Sequence, residues 1–291
     1  MHTISSSTEI TAISKQARGA NKRVGFVPTM GALHAGHISL VRAARAQSDV
    51  LIVSIFVNPL QFGPKEDFSK YPRTLERDCG LLAAENVDYV FAPSVEEMYP
   101  QGASTWVIVE GITDLLDGRS RPGHFRGVST VVAKLFHIVQ PDLAFFGQKD
   151  AAQAAILQKM ASDLNFDVRI VVCPTVREPD GLAMSSRNAY LNPAQRQQAA
   201  ALYRALMRVQ ALADEGESDS GKLLAEGKQV IAQETAIRLD YFEIVDRATL
   251  EPVAETSGGA LVAVAAYVGE TRLIDNIVLA VPKAYDVEHV P

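Results

Sequence analysis

The sequence contains almost no cysteine and no long basic run, and both absences exclude classes of protein. Only two of its 291 residues are cysteines, Cys79 and Cys173, and they show no local pairing pattern. Disulfide frameworks belong mainly to secreted domains, so we expect two free thiols in a reducing cytosol. The net charge is -6, which argues against an extended surface for nucleic acid.

Membrane-spanning and secretory segments are also missing. The continuous apolar runs, such as residues 50–57 and 260–268, are far shorter than the roughly 20 residues that a membrane helix needs. The first twenty residues are polar and rich in Ser and Thr, without the apolar stretch of a signal peptide. We therefore expect a cytoplasmic protein without a membrane partner. The absence of Gly-x-Ser-x-Gly and Gly-x-Gly-x-x-Gly argues against a hydrolase elbow and a dinucleotide fingerprint.

The first part of the sequence alternates β-branched apolar runs with helical patterns. The runs that we predict as strands are residues 24–28, 50–57, 89–92, 105–109, 143–146 and 168–172. The run at 50–57 is continuously apolar, which is typical of a strand buried on both faces of a parallel sheet. The alternation therefore predicts an α/β fold, a Rossmann-like parallel sheet with helices on both faces.

The alternation stops after Asn188. Two helical patterns, at 193–213 and 222–236, precede strand-like runs at 241–245, 261–267 and 272–281. Gly269-Glu270 is a candidate hairpin turn between the last two runs. This order predicts a small C-terminal α+β domain. We therefore predict a Rossmann-like domain over residues 1–180 and a smaller lid domain over residues 181–291.

The most informative stretch joins a predicted strand to a predicted helix and reads PTMGALHAGH, residues 28–37. His34 and His37 are three residues apart, so both imidazoles can face one ligand. The helix start offers unpaired N–H groups, and Gly31 and Gly36 allow a phosphate to approach the backbone. This combination predicts a nucleotide phosphate site in which the imidazoles stabilise developing negative charge.

Two other kinds of site fit this turn less well. The spacing of its glycines resembles a P-loop, but His37 and Ile38 stand where that motif needs Lys and Ser or Thr. A zinc site usually needs three or four ligands, and this turn supplies only two histidines. From the turn alone, a helix start with two chance histidines stays open.

A cation and two amides lie in the same part of the pattern. Lys149 comes just after the run at 143–146, at the sheet edge where ligands of open α/β folds gather. A solvated lysine is the alternative, although a helix N-terminus is a poor place for a cation. Gln61 and Gln153 are candidates for binding one small polar substrate, although each alone fits a surface glutamine.

A loop at residues 180–188 combines small hydroxyls with an arginine. Ser185, Ser186 and Arg187 suit a flexible clamp on a polyphosphate, because arginine grips phosphate with two donors. The composition of the loop alone favours an ordinary linker instead.

Motifs along nearly the whole chain resemble those of the pantoate–β-alanine ligase family. They are PTMGALHAGH (28–37), SIFVNPLQF (54–62), YPRT (71–74), FFGQKD (145–150), PTVRE (174–178), GLAMSSRN (181–188) and RLIDN (272–276). The His-x-Gly-His element at 34–37 alone marks only the wider nucleotidylyltransferase superfamily. The full set in this order is specific to the ligases.

The resemblance implies a two-step reaction. ATP and pantoate give pantoyl adenylate and pyrophosphate, and β-alanine then attacks the adenylate to give pantothenate and AMP. The resemblance also implies Mg²⁺, a homodimer and a cytosolic location. No nucleic-acid partner is expected.

The resemblance implies site residues by position. His34, His37, Lys149, Ser185 and Arg187 would be catalytic and, with Ser186, would hold the ATP phosphates. The other ATP-binding residues would be Met30, Gly31, Ala32, Leu33, Ala35, Gly36, Gly147, Gln148, Asp150, Val176 and Met184. Gln61 and Gln153 would bind pantoate, with Gln61 also near β-alanine, and Asp78 would lie near the metal.

One segment departs from the family pattern. After Lys-Asp the family commonly has an aromatic residue and two glutamines, whereas this sequence has Ala151-Ala152-Gln153. The missing bulk implies a roomier pocket wall.

Three rival functions share parts of this pattern. An adenylyltransferase of the same superfamily would need a strongly basic substrate pocket, whereas Gln61 and Gln153 are neutral. An aminoacyl-tRNA synthetase relative is opposed by the acidic charge and by the lack of an anticodon-binding extension. A non-catalytic nucleotide-binding module would have a broken set of charged residues, yet both histidines, Lys149 and Arg187 are present.

Overall fold

The computed structural model describes residues 1–64, 66 and 68–280 of the chain. Contacts divide the chain into two compact units, residues 1–190 and 191–291. Residues 181–190, which the sequence analysis assigned to the second domain, therefore belong to the first unit. Val281, the predicted end of the last strand, lies outside the described residues.

A six-stranded sheet forms the centre of the first unit, within the part of the chain that the structure describes. Its strands are β1 His2–Ile4, β2 Val24–Thr29, β3 Val50–Ile55, β4 Tyr89–Phe91, β5 Leu143–Gly147 and β6 Arg169–Cys173. Their order is β1-β4-β3-β2-β5-β6, and every neighbouring pair is parallel. From β2 the chain winds to β3 and β4 on one side, and it returns to β5 and β6 on the other. Ligands of open α/β sheets bind at the carboxyl ends of strands at such a reversal, here between β2 and β5.

Helices cover both faces of this sheet, as predicted. They are α1 Ser7–Gly19, α2 Ala35–Arg45, α3 Leu75–Ala84, α4 Val95–Met98, α5 Asp117–Ser120, α6 His124–Val139 and α7 Ala151–Asp163. The central strands are buried as a result: Phe26, Ile52 and Phe145 are all 0% exposed. The predicted α/β fold class is confirmed.

Two elements of this unit were missed, and one predicted strand is wrong. Strand β1 and helix α1 were not predicted, because only the scattered apolar residues Ile10 and Ala17 mark the buried side of a polar helix. Residues 105–109 form no strand. The amide of Val107 donates to the Thr130 hydroxyl of α6 at 3.0 Å rather than to a neighbouring strand, and Ile108 is 55% exposed.

The second unit contains helices followed by an antiparallel sheet, which confirms the predicted α+β order. Its elements are α8 Pro193–Ala199, α9 Ala201–Asp214, α10 Ser220–Ile231, β7 Ile237–Val245, β8 Ala260–Val268 and β9 Thr271–Leu279. The pairing of Val268 with Thr271 confirms the hairpin at Gly269-Glu270. The helical pattern at 193–213 is two helices, since α8 ends at Ala199.

The turn after β2 is anchored in the core by one of its own residues. Leu33 is 1% exposed and belongs to the hydrophobic cluster that also contains Val41, Val53 and Phe145. The backbone on both sides of Leu33 is therefore tied to α2 and to the sheet.

Both cysteines are free thiols, as expected. Among the described residues, no helix combines the length and the apolarity needed to cross a bilayer.

Candidate active site

The rings of the two histidines in the turn between β2 and α2 cap the N-terminus of α2. Nδ1 of His34 accepts a hydrogen bond from the Gly36 amide at 3.1 Å, and Nδ1 of His37 accepts one from the His34 amide at 3.3 Å. A ring nitrogen that accepts an N–H carries no proton, so in each neutral imidazole the proton sits on Nε2. The ring centroids are 4.1 Å apart. The turn therefore holds two neighbouring Nε2–H donors.

Their surroundings keep both rings neutral in the free protein. Burial, together with His34, lowers the pKa of His37 from 6.5 to about 3. Burial, together with Lys149, also lowers the pKa of His34. At neutral pH the pair can thus donate hydrogen bonds without adding positive charge of its own.

Glycine at position 36 is required by the close approach of the His34 ring. A Cβ at this position would lie 2.9 Å from Cε1 and 3.0 Å from Nδ1 of His34. The contact of 2.9 Å is shorter than real Cβ atoms show, so a side chain here would displace the His34 ring, which caps the helix.

Most backbone amides of the turn are already used within the protein. The amide of Gly31 donates to the Thr29 hydroxyl at 3.1 Å, and those of Ala32 and Leu33 donate to the Asp78 carboxylate at 2.8 and 3.0 Å. The His34 and Gly36 amides donate to the imidazoles. The expectation of unpaired N–H groups is therefore wrong for these five residues, because side chains of the fold satisfy them first.

The segment after β5 brings a cation to the neighbouring strand end. Gln148, Lys149 and Asp150 form a 3₁₀ turn before α7. The ammonium of Lys149 lies 3.6 Å from Oδ1 of Asp150, and its side chain is 20% exposed. Gln153 follows on the first turn of α7.

The loop with the predicted phosphate clamp is a closed hairpin rather than a free linker. The Met184 amide donates to the Val176 carbonyl at 3.0 Å, which holds these two predicted nucleotide contacts side by side. The amide group of Asn188 ties the end of the loop to the Glu178 carboxylate at 2.8 Å and to the Ala183 carbonyl at 3.2 Å. Ser185, Ser186 and Arg187 therefore project from a braced segment.

Gln61 is oriented by a chain of hydrogen bonds that starts at Tyr99. The Tyr99 hydroxyl donates to Oδ1 of Asn58 at 2.8 Å, and the Leu60 amide donates to the same oxygen at 3.3 Å. Nδ2 of Asn58 then donates to Oε1 of Gln61 at 3.2 Å. Nε2 of Gln61 donates to the sulfur of Met30 at 2.8 Å. The second N–H of this amide group is not used by Asn58 and is the one left for a substrate.

Helix α6 lies against this part of the chain because Gly127 has no side chain. A Cβ at Gly127 would lie 2.2 Å from the Leu60 carbonyl oxygen and 2.7 Å from the Gln61 nitrogen. The Gly127 carbonyl also accepts from Nδ2 of Asn58 at 3.1 Å. The glycine therefore helps to set the position of Gln61.

Most predicted site residues line one cavity of about 1230 Å³, a volume that includes its opening to solvent. Those that line it are Met30, His34, Gly36, His37, Gln61, Gly147, Lys149, Asp150, Gln153, Val176, Met184, Ser185, Ser186 and Arg187. Gly31, Ala32, Leu33, Ala35, Gln148 and Asp78 do not line it, and neither do Ala151 and Ala152. The roomier pocket wall implied by the two alanines stays a prediction.

The cavity also has walls that sequence reasoning missed. An apolar stripe of α6 lines it with Val128, Val131, Val132 and Leu135. Their spacing is that of one helix face, and this signal was readable in the sequence. Asn58 and Thr175 also line the cavity, and the Thr175 hydroxyl is buried with no hydrogen-bond partner among the described residues.

Asp78 was predicted to lie near a metal, but in the structure its carboxylate contacts backbone amides. Both oxygens of its carboxylate accept backbone amides of the turn, and the side chain is fully buried. Within the described residues, no group of three or more His, Cys, Asp and Glu side chains is arranged to hold a metal ion. The structure therefore gives the predicted metal role of Asp78 no support.

Comparisons of the sequence and of the structure with known proteins point to the same family. A family model, that of pantoate-beta-alanine ligase, matches residues 2–278. The chain is 62% identical over 279 residues to a pantothenate synthetase of Koribacter versatilis, with 96% of each sequence covered. A crystal structure of pantothenate synthetase from Thermus thermophilus is 48% identical, with a TM-score of 0.90 and coverage of 95% of this chain and 99% of that one. A pantoate-beta-alanine ligase from Francisella tularensis, complexed with beta-gamma ATP and β-alanine, is 34% identical, with a TM-score of 0.78 and coverage of 95% and 97%.

Proposed function

The chain belongs to the pantoate–β-alanine ligase family, and from this premise we propose how its cavity joins pantoate to β-alanine at the expense of ATP. In the first step a carboxylate oxygen of pantoate attacks the α-phosphorus of ATP, and the bond to pyrophosphate breaks. In the second step the amine of β-alanine attacks the acyl carbon, and AMP leaves. The products are pantothenate, AMP and pyrophosphate.

The leaving pyrophosphate would be held by donors that require little rearrangement. The Nε2–H groups of His34 and His37 are fixed by hydrogen bonds at the opposite ring nitrogens. Lys149, Ser185, Ser186 and Arg187 add cationic and hydroxyl donors that line the same cavity. Charge accumulates on the phosphate oxygens as the bond breaks, so donors already in place lower the barrier most at that point.

Pantoate would be held by neutral amides and an apolar wall. Its carboxylate must attack phosphorus, and a cationic side chain paired with that carboxylate would make it a weaker nucleophile. Gln61 and Gln153 line the cavity as uncharged alternatives, and Gln61 has Nε2 donors that Asn58 does not occupy. The apolar stripe of α6 suits the two methyl groups of pantoate, since burying a methyl group favours binding by about 0.8 kcal/mol.

The second step would depend mainly on placing the amine of β-alanine beside the acyl carbonyl. The predicted site includes no strong general base for this step, and bringing two reactants together can by itself supply a large part of a rate. Gln61 is the residue that we assign near β-alanine.

Mg²⁺ would enter as part of the substrate, bound to ATP. Mg²⁺ in phosphoryl-transfer sites is usually held by substrate phosphates with one or two carboxylates. The described residues contain no group of three or more His, Cys, Asp and Glu side chains that could hold a metal by itself. Asp150 is the carboxylate among the predicted ATP-binding residues that line the cavity.

We also propose that the protein is a homodimer in the cytoplasm. Size-exclusion chromatography with light scattering would test the dimer. The lid role of the second unit stays a prediction.

One observation carries this proposal: the two imidazole donors, the cations and the neutral amides line the same cavity. The decisive experiment is exchange of labelled pyrophosphate into ATP with pantoate present and β-alanine absent. We expect exchange that depends on pantoate, and its absence would overturn the adenylate mechanism. A phosphorylated hydroxy acid serves as the comparison substrate, and faster exchange with it would favour the adenylyltransferase alternative.

A further inference from the structure

Asp78 lies on α3 and reaches the catalytic turn from outside the cavity. Its side chain is 0% exposed, although an isolated carboxylate is costly to bury. Oδ2 accepts from the Ala32 amide at 2.8 Å and from the Thr74 hydroxyl at 3.1 Å, and Oδ1 accepts from the Leu33 amide at 3.0 Å. These hydrogen bonds explain the burial without any ligand on Asp78.

The two amides that Asp78 holds belong to an unusual piece of backbone. Ala32 has a φ of 51°, a left-handed conformation that a residue with a Cβ disfavours. A carboxylate is suited to stabilising it, because its two oxygens accept from two successive amides. The residue after Leu33 is His34, whose own amide fixes the ring of His37. The backbone conformation at Ala32 thus sets the positions of the His34 and His37 rings.

We propose that Asp78 is a positioning residue that holds the turn so that the Nε2–H groups of His34 and His37 face the cavity. This inference rests on the proposed function of those imidazoles. Asp78 acts through the backbone of Ala32 and Leu33 and touches neither substrate nor metal. A role as a metal ligand is the competing interpretation, and the experiment separates the two.

The principal variant is Asp78→Asn, which keeps the size of the side chain but offers one acceptor oxygen instead of two. Its NH₂ group would face a backbone N–H, so one of the two amide contacts is lost. The matched control is Asp88→Asn. The Asp88 carboxylate also accepts a backbone amide, that of Leu51 at 2.7 Å, and pairs with Arg45 at 2.7 Å, but it does not line the cavity.

Pyrophosphate exchange measures the catalytic consequence. We expect the exchange kcat of Asp78→Asn to fall on the order of 100-fold, the scale of a misplacement of about 1 Å in a reactive group. Asp88→Asn should stay within about threefold of the unsubstituted protein, because its contacts lie elsewhere. Thr74→Val, which removes one hydrogen bond to Asp78, should lower kcat several-fold and provides a milder variant if Asp78→Asn does not fold.

The imidazoles themselves supply a measurement that does not depend on turnover. The protein has six histidines, so long-range ¹H–¹⁵N spectra of the free protein can be assigned with single His→Gln variants. We expect protons on Nε2 of His34 and His37 in the unsubstituted protein and in Asp88→Asn. In Asp78→Asn, or in Thr74→Val if the former does not fold, both rings should show mixed tautomers.

The results separate three interpretations. Unchanged tautomers with a weakened dependence on Mg²⁺ would overturn the positioning role in favour of a metal ligand. Unchanged tautomers with normal exchange would reduce Asp78 to a packing residue and would also overturn it. Lack of exchange by the unsubstituted protein would refute the proposed function alone, since the tautomer comparison would still decide whether Asp78 sets the rings.

Discussion

Replacing Gln61 with glutamate tests whether the amide end of this side chain faces the carboxylate of pantoate. Glutamate has nearly the same shape, and one of its oxygens can keep the hydrogen bond from Nδ2 of Asn58, which is 3.2 Å long in the structure. The other oxygen would replace Nε2, the donor that lies free of Asn58. The substitution therefore changes the charge and the donor at one atom and keeps the Asn58 contact, while the hydrogen bond from Nε2 to the Met30 sulfur is lost in the glutamate and the leucine variant alike.

The expected rise in the pantoate KM follows from the repulsion between the two carboxylates. Two carboxylates about 4 Å apart repel by about 4 kcal/mol at an effective dielectric constant of about 20. Each 1.4 kcal/mol corresponds to a factor of about ten, so the pantoate KM should rise on the order of 1000-fold. Gln61→Leu removes only a neutral hydrogen bond worth about 1 kcal/mol, which corresponds to roughly fivefold. The glutamate variant should thus be roughly 100-fold worse than the leucine variant.

The assay is pyrophosphate exchange with pantoate and ATP varied separately. In both variants the ATP KM should stay within about threefold, because Gln61 is assigned to pantoate and not to the phosphates. Gln158→Glu is the control, since it adds the same charge at an exposed position of α7. Equal pantoate KM values for Gln61→Glu and Gln61→Leu would show that no substrate carboxylate faces this residue. A larger change in the ATP KM would mean that the two pockets are wrongly assigned.

Two further predictions concern the phosphate side of the cavity. Lys149→Ala and His37→Ala should each slow adenylate formation on the order of 100-fold, the cost of one preorganised donor, and near-normal single-turnover rates in both would contradict the assignment. The second concerns pH. Because the pKa of His37 falls from its ordinary value of 6.5 to about 3 on folding, the unfolded chain takes up a proton below pH 6.5 that the folded protein excludes until about pH 3. Stability should therefore be unaffected by this group above pH 6.5 and should fall as the pH drops through the window between the two values. Urea unfolding should show a steeper loss of stability there in the unsubstituted protein than in His37→Gln, by up to about 1.4 kcal/mol per pH unit. Parallel curves would show that His37 is not held neutral by the fold.

The residues to which we assign the chemistry were readable from the sequence because they follow short local patterns. The turn at 30–37, the Lys149 segment and the Ser185–Arg187 segment each follow a strand or close a loop, and all three contribute to the cavity. A parallel sheet gathers its strand ends at one edge, so local position predicted that these groups would meet. The stripe of α6 was equally readable but was interpreted only as part of a helix.

The sequence alone thus determined the α/β order, the strand-to-helix turn with its two histidines, and the identity of the charged groups around it. Only the tertiary structure decided how those groups are held. Asp78 is separated from Ala32 by 46 positions and Gly127 from Asn58 by 69, and no local pattern links such partners. Their contacts form only when α3 packs beneath the turn and α6 packs beside Gln61. The turn therefore uses two of its amides on a buried carboxylate, and we propose the Nε2–H groups of its imidazoles, rather than those amides, as donors to the nucleotide.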